Sequence, residues 1–269
     1  MKFGLKGLLA IAAVASALVL SGCGEKQADT SKIKVGVMAG AEAQVAEVAA
    51  KVAKEKYGLD VELVTFTDYV TPNAALDDGS IDINAFQHKP YLDQQVTDRG
   101  YKLTIAGNTF VYPIAGYSKQ VKSVDEIQDG ARIAVPNDPT NLGRSLLLLE
   151  QQGLVKLRDG VGLLATVRDI AENPKNITIV ELDAAQLPRS LDDVALSIIN
   201  TTYASSIDLT PQKDGVFVED KESPYVNLIV AREDNVKAEN VQNFVKSYQT
   251  DEVYTAASDI FKGGVVKGW

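Results

Sequence analysis

Three short segments near the start of the chain limit the fold before anything else is read. Ile33 to Val37 is rich in β-branched residues and predicts a strand. Ala43 to Tyr57 places Val45, Val48, Ala49 and Val52 on one face at helical spacing, and Val61 to Phe66 predicts a second strand. A strand, a helix and a strand inside residues 33–66 make a crossover unit, which requires a parallel sheet covered by helices. Ile81–Phe86 adds a further strand.

The pattern then begins again. Strands are expected at Ile114–Tyr117, Ala131–Val135, Ile177–Leu182, Val194–Ile199 and Tyr225–Val230. Ser123-Val-Asp-Glu126 has the form of a capping box opening a short helix. Leu142–Gln152 is a strongly apolar helix, and Ala238–Phe261 carries two helical stretches. The expected architecture is α/β with two lobes. One is built from 33–112 plus 226–269 and the other from 113–225, so the chain crosses twice between them, forming a hinge and a ligand-sized cleft.

Residues 1–22 are not part of this body. Lys2 and Lys6 precede an apolar run from Leu8 to Leu20 that is too short for a comfortable membrane span of about 20 residues, the pattern of a secretory signal peptide. The run ends in Leu20-Ser21-Gly22-Cys23, which resembles the bacterial lipobox, whose cysteine is acylated and becomes the new N-terminus. Residues 23–32 then form the lipidated cysteine and a polar tether. The expected location is the bacterial cell envelope, the body held on the extracytoplasmic or periplasmic side of a membrane by lipid. Removing the leader leaves 247 of 269 residues, and loss of its two lysines takes the net charge from −9 to −11. So acidic a body, without a basic patch, speaks against nucleic-acid binding.

Enzyme signatures are absent from the string. His88 is the only histidine and Cys23 the only cysteine, so a site with two or three histidine ligands is excluded and no thiol remains for catalysis or metal binding. Gly36-Val-Met-Ala-Gly40 lacks the third glycine of a dinucleotide fingerprint, and no Gly-x-Ser-x-Gly elbow occurs. Asp77-Asp78 and Asp192-Asp193 read as caps and turns. No cofactor and no metal are expected, and the chain is not expected to be an enzyme.

Two segments are chemically loaded. Asn84-Ala-Phe-Gln-His-Lys-Pro-Tyr91 places Phe86, His88 and Tyr91 at a strand end, where open α/β sheets bind ligands, and Tyr69 follows the neighbouring strand. The same aromatics also suit a core, with His88 as a structural histidine. Asn137-Asp-Pro-Thr-Asn-Leu-Gly-Arg-Ser145 joins a strand to a helix, with Asn141 expected as N-cap and Arg144 in the first turn. A cation there is unfavourable for the helix dipole unless an anion joins it. An exposed Arg144 paired with a nearby carboxylate is the alternative.

These strings carry a resemblance. Val111-Tyr-Pro-Ile-Ala-Gly-Tyr117, Phe86-Gln-His-Lys-Pro-Tyr-Leu-Asp93 and Pro136-Asn-Asp-Pro-Thr-Asn-Leu-Gly-Arg144 are similar to the NlpA family of lipoproteins. The likeness runs through Tyr225-Val-Asn-Leu-Ile229 to the closing Gly264-Val-Val-Lys-Gly-Trp269, and it is to the methionine-binding members. It implies a periplasmic-binding-protein (Venus flytrap) fold, capture of L-methionine (with D-methionine or analogues as further candidates), and delivery to the permease and ATPase of a methionine ABC importer. It further implies that Tyr69, Phe86, His88 and Tyr91 surround the methionine side chain. Asn141 and Arg144 would take its carboxylate, and Asn200 and Asn227 would hold its head group. Arg144→Ala would then cripple binding while leaving the ligand-free melting temperature nearly unchanged. A surface lipoprotein for another small amino acid or peptide, or one with a structural or adhesive role, is the competing class. Cys23→Ala is expected to release the folded body from membranes; wild-type protein that fractionates as fully soluble with an unmodified N-terminus would refute the anchor.

Overall fold

The computed structural model describes residues 29–220 and 223–269. The expected leader, Cys23 and the tether up to residue 28 lie outside the described residues. The fold is α/β with two lobes.

The first lobe contains β1 (Lys32–Met38), α1 (Ala41–Tyr57), β2 (Asp60–Phe66), α2 (Thr71–Asp77), β3 (Ile83–His88), α3 (Lys89–Arg99) and β4 (Leu103–Val111). Late in the chain it regains β12 (Val226–Arg232), α8 (Glu239–Tyr248), α9 (Asp251–Ile260) and β13 (Val266–Lys267). Its six-stranded sheet runs β13-β4-β12-β3-β1-β2. β1 lies parallel to β2 and β3, whereas β12 is antiparallel to β3 and β4. All six residues of β3 are buried, as a central strand covered on both faces requires. α1 buries Val45, Ala46, Ala49, Val52 and Ala53 against this sheet, and Gly58 ends it in the left-handed conformation at φ 65°.

The second lobe contains β5 (Ala115–Tyr117), β6 (Arg132–Pro136), α4 (Pro139–Gln151), β7 (Lys156–Leu157), β8 (Ile170–Glu172), β9 (Thr178–Leu182), α5 (Leu187–Ser190), β10 (Leu196–Ile199), α6 (Thr201–Ser205), α7 (Pro211–Asp214) and β11 (Phe217–Val218). Its five-stranded sheet runs β11-β5-β10-β6-β9, and β7 pairs with β8 in a small ribbon. The chain passes between the sheets twice, after β4 and after β11. Two apolar clusters pack on the six-stranded sheet and one on the five-stranded sheet. A fourth joins Met38, Phe86 and Tyr91 of the first lobe to Ala134, Leu187 and Tyr203 of the second.

Local readings of the sequence are corrected in three places. The third strand ends at His88, not Phe86, so His88 closes β3 and caps α3 with its own ring. α4 starts at Pro139, and its N-cap is Asp138, whose side chain accepts from the Asn141 N–H at 2.9 Å. A proline at the first helical position after an aspartate outcompetes a later asparagine cap, so Asn141 is the third residue of the helix and Arg144 stands in its second turn. Ser123 makes no side-chain cap: Val124–Glu126 is one 3-10 turn, and Glu126 accepts from the Lys122 N–H at 2.8 Å.

α4 packs closely on the Gly162–Leu164 turn. A Cβ built on Gly143 would stand 2.2 Å from the Leu163 carbonyl oxygen, a backbone atom that yields only if the turn moves. Gly143→Ala gains about 1 kcal/mol of helix propensity but overpacks at a cost of about 1–3 kcal/mol. Urea unfolding is expected to show net destabilisation; a stabilised variant would show that the turn yields freely.

Candidate functional site

The carboxyl ends of several strands meet at the gap between the sheets. Tyr69 follows β2 by three residues, His88 is the last residue of β3, and Asn200 directly follows β10. Asn141 and Arg144 come from α4, which follows β6, and Asn227 from β12. All eight residues singled out in the sequence, Tyr69, Phe86, His88, Tyr91, Asn141, Arg144, Asn200 and Asn227, line one cavity. Gln87, Tyr112, Thr201 and Thr202 complete the wall.

The first-lobe side is aromatic. Ring centroids of Tyr69, Phe86 and Tyr91 lie 5.9–6.3 Å apart, within the range of favourable aromatic pairs. The Tyr91 hydroxyl donates to the Tyr69 carbonyl at 2.8 Å. Tyr69 sits in a turn shaped by Asp68, whose carboxylate accepts from the N–H groups of Val70 and Thr71, both at 2.8 Å. Behind the rings, Asn73, Asn84 and Gln87 form a buried amide triad. Asn73 and Gln87 exchange bonds of 2.8 and 2.6 Å, and Asn84 joins both at 2.9 Å. The triad fastens α2 to β3, and so holds the Tyr69 turn at a set distance from Phe86. Pairing between β3 and β12 slips by one residue at Phe86, because Leu228 faces Gln87 while Ile229 faces Ala85. Such a bulge leaves the extra residue unpaired, and Asn227 Nδ2 donates to the Phe86 carbonyl at 3.0 Å.

Opposite is a polar relay. Asp138 accepts from Asn141 Nδ2 at 3.0 and 3.1 Å, and Asn141 Oδ1 accepts from Asn200 Nδ2 at 2.9 Å. His88 Nδ1 accepts from the Tyr91 N–H at 3.2 Å, which leaves the ring proton on Nε2 to donate to Asn141 Oδ1 at 3.3 Å. Burial, with the Arg144 guanidinium as the second cause, lowers the His88 pKa to about 3 and keeps the ring neutral. The relay orients the Asn200 amide and leaves Asn200 Oδ1 buried with no hydrogen-bond partner among the described residues. An unsatisfied buried acceptor costs about 1–3 kcal/mol unless a ligand donor reaches it.

Arg144 is 4% exposed, and its counter-charge is a carboxylate of the chain itself. Its Nε donates to Glu219 Oε1 at 2.8 Å, Nη2 donates to Glu219 Oε2 and, at 3.1 Å, to the Tyr112 carbonyl, and the guanidinium lies 4.3 Å from the Tyr225 ring centroid. These bonds use three of five N–H groups, and Nη1 makes no hydrogen bond among the described residues. Of the alternative reading, an exposed arginine paired with a carboxylate, the pairing is met but the exposure is not, and Arg144 also lines the cavity. Truncation would strand Glu219, so the expectation that Arg144→Ala leaves the fold unaffected does not hold: removing one partner of a buried pair costs about 3–5 kcal/mol.

Sequence reading missed the supporting residues. Gln87, Tyr112 and Asp138 lie inside the strings already singled out, and Thr201 and Thr202 adjoin Asn200. Tyr225 opens the Tyr225–Ile229 string already quoted, and Glu219 had no such signal.

A family model described as NlpA lipoprotein matches residues 33–269. The chain is 83% identical over 269 residues, the full length of both, to a Vibrio cholerae serotype O1 protein named probable D-methionine-binding lipoprotein MetQ. A crystal structure of the methionine-binding protein MetQ matches at a TM-score of 0.89 with 74% identity, covering 90% of this chain and 99% of that one. A nutrient-binding protein from Burkholderia cenocepacia, solved bound to methionine, matches at a TM-score of 0.86 with 52% identity, covering 88% of this chain and 100% of that one.

Because His88 is harder to protonate in the folded protein than in the unfolded chain, its neutral state supports the fold fully above its ordinary pKa of 6.5; the contribution is lost as pH falls from there toward 3. Between pH 7.5 and 5 the stability gap between wild type and His88→Gln should narrow by about 2 kcal/mol in urea unfolding. A gap that does not change with pH would show that His88 is not held neutral.

Proposed function

The chain belongs to the NlpA lipoprotein family, and on that premise we propose that it captures methionine in the cleft between its lobes and hands it to an ABC importer. The observation that carries this reading is the two-sided cavity: a wall of Tyr69, Phe86 and Tyr91 faces Arg144, Asn141 and Asn200 across one space. An amino acid with an apolar, polarisable side chain has that same division.

The side chain would lie among the rings, where sulfur–aromatic contacts contribute about 0.3–1.5 kcal/mol each and burial of the whole side chain about 1.5–3 kcal/mol. The carboxylate would meet the free Nη1 edge of Arg144. Glu219 already offsets part of that positive charge, so the head-group site suits a zwitterion better than a bare anion. Asn200 Oδ1, buried without a partner among the described residues, is the acceptor for the ammonium group. His88 acts as a neutral donor that orients Asn141, and Asn227 supports Phe86 from the first lobe. Binding residues come from 33–112 with 226–269 and from 113–225, so a ligand holding both stabilises the closed arrangement. Lipid at Cys23 would keep the body at the membrane, within reach of the permease and its ATPase. The names of the similar proteins, two of which carry methionine binding and a third a bound methionine, support this reading.

Titration calorimetry with both methionine isomers and with leucine tests it. Leucine is expected to bind at least about tenfold more weakly than the preferred isomer, the usual discrimination of a fitted apolar sleeve. Asn200→Ala should weaken methionine by roughly 10- to 100-fold, the loss of one hydrogen bond to a charged group, with little change in unfolding. Leucine binding as tightly as methionine would remove the ligand assignment.

A further inference from the structure

One buried acid has no part in the binding scheme. Glu42, in the first turn of α1, is 3% exposed. Its Oε1 accepts from the hydroxyl of Thr202 on α6, in the other lobe. The Tyr203 hydroxyl donates across the same gap to the Thr67 carbonyl at 3.3 Å, and the Tyr69 and Tyr203 rings meet at 5.0 Å. Each of these contacts exists only while the lobes are together. Ala41 and Thr201, the neighbours of Glu42 and Thr202, line a second crevice between the lobes, so a small separation there brings water to the carboxyl.

Among the described residues, nothing cationic compensates Glu42. From α6 it faces Thr202 and Tyr203, from the β2–α2 turn Tyr69, from the end of β4 Tyr112, and from α8 Tyr248. β1, β2 and α9 also pack on α1 and supply no ion pair to Glu42 among the described residues. Burial pushes its pKa up to about 7, against the smaller opposing effect of the Thr202 bond.

We propose that Glu42, which does not line the cavity, and Thr202, at its wall, form a latch between the lobes, and that closing the cleft on ligand takes up a proton at Glu42. The proposal rests on the methionine-binding reading. In an opened cleft the carboxyl is hydrated and titrates near its ordinary value of 4.5; in the closed one it holds its proton to about pH 7. Closure is therefore strongest at low pH, weakens as pH rises between those values, and levels off above them. His88 works in the opposite sense, since closure keeps it neutral, and the acids near the cavity are Asp138, whose buried carboxyl is also raised, and Glu219, paired with Arg144. The Glu42 contribution is thus read as a difference from Glu42→Gln, which keeps the shape and the acceptor but does not titrate.

Methionine affinity is to be measured calorimetrically for wild type and Glu42→Gln at pH 6, 7 and 8, with both also titrated at pH 7 in two buffers of different ionisation enthalpy. The ratio of wild-type to variant affinity is expected to fall by about tenfold from pH 6 to pH 8, with an excess fraction of a proton taken up by wild type at pH 7. Because His88 gives up protons on closure, uptake at Glu42 is counted as the excess of wild type over Glu42→Gln titrated in the same two buffers. A ratio constant within about twofold, or no excess uptake at pH 7, overturns the latch while methionine binding itself stands. Wild type that binds neither isomer at any of these pH values removes the functional reading, and the latch with it.

Discussion

Arg144 sends every one of its bonds to a place where the chain passes between the lobes. Tyr112 follows β4 at the first crossing; Glu219 and Tyr225 flank the second. The crossings are also tied to each other, for Glu219 N–H donates to the Ile114 carbonyl at 2.9 Å and the Ile114 N–H donates to Glu219 Oε2 at 3.3 Å. A helix of the second lobe thus holds both hinge segments through one guanidinium. A fork of donors can do this while an ammonium cannot, because three bonds in fixed directions are needed at once. The pair is buried, so its net worth to stability is small, but its geometry is demanding. The same residue that presents a free N–H edge to the cavity is the one that senses the hinge.

The remaining polar groups of the cavity depend on orientation rather than charge. Asp138 caps α4 and at the same time turns the Asn141 amide; Asn141 turns Asn200; the neutral His88 ring closes the sequence from the other lobe. Each amide has two ends, and a chain of bonds removes the freedom to flip. The outcome is an acceptor, Asn200 Oδ1, kept buried and unpaired. Folding bears that cost because the relay satisfies every other member, and a binding site gains a preorganised oxygen.

On the aromatic side rigidity comes from within one lobe. The amide triad of Asn73, Asn84 and Gln87 and the bulge at Phe86 set three rings against each other without help from across the cleft. Contacts such as His88 with Asn141 and Thr202 with Glu42 belong to the closed arrangement alone. The cavity therefore has one wall that is prebuilt and one that is completed by closure.

Much of this was legible in the string. The crossover unit between Ile33 and Phe66, the apolar face of α1 and the restart of the pattern after β4 follow from periodicities of two and 3.6, which are local properties of a chain. The loaded segments around His88 and Arg144 were legible because unusual residues cluster at strand ends. The start of α4 was misread because Asp138 and Asn141 are both good caps, and the proline between them decided the matter. Partnerships were not legible at all. Arg144 and Glu219 are 75 residues apart, and Glu42 and Thr202 are 160 apart. Glu42 reads in sequence as an ordinary acid favoured by a helix N-terminus; only the packing of α6 over it makes it a buried group without a cation. The sequence by itself determined the elements, the two-lobed order and the loaded segments around His88 and Arg144, since these follow from local pattern; Asn200 and Asn227 were reached only through the family resemblance. Which charges meet, which amide end faces the cavity and which contacts span the cleft were decided by tertiary structure, because burial and distance arise only when remote segments pack together.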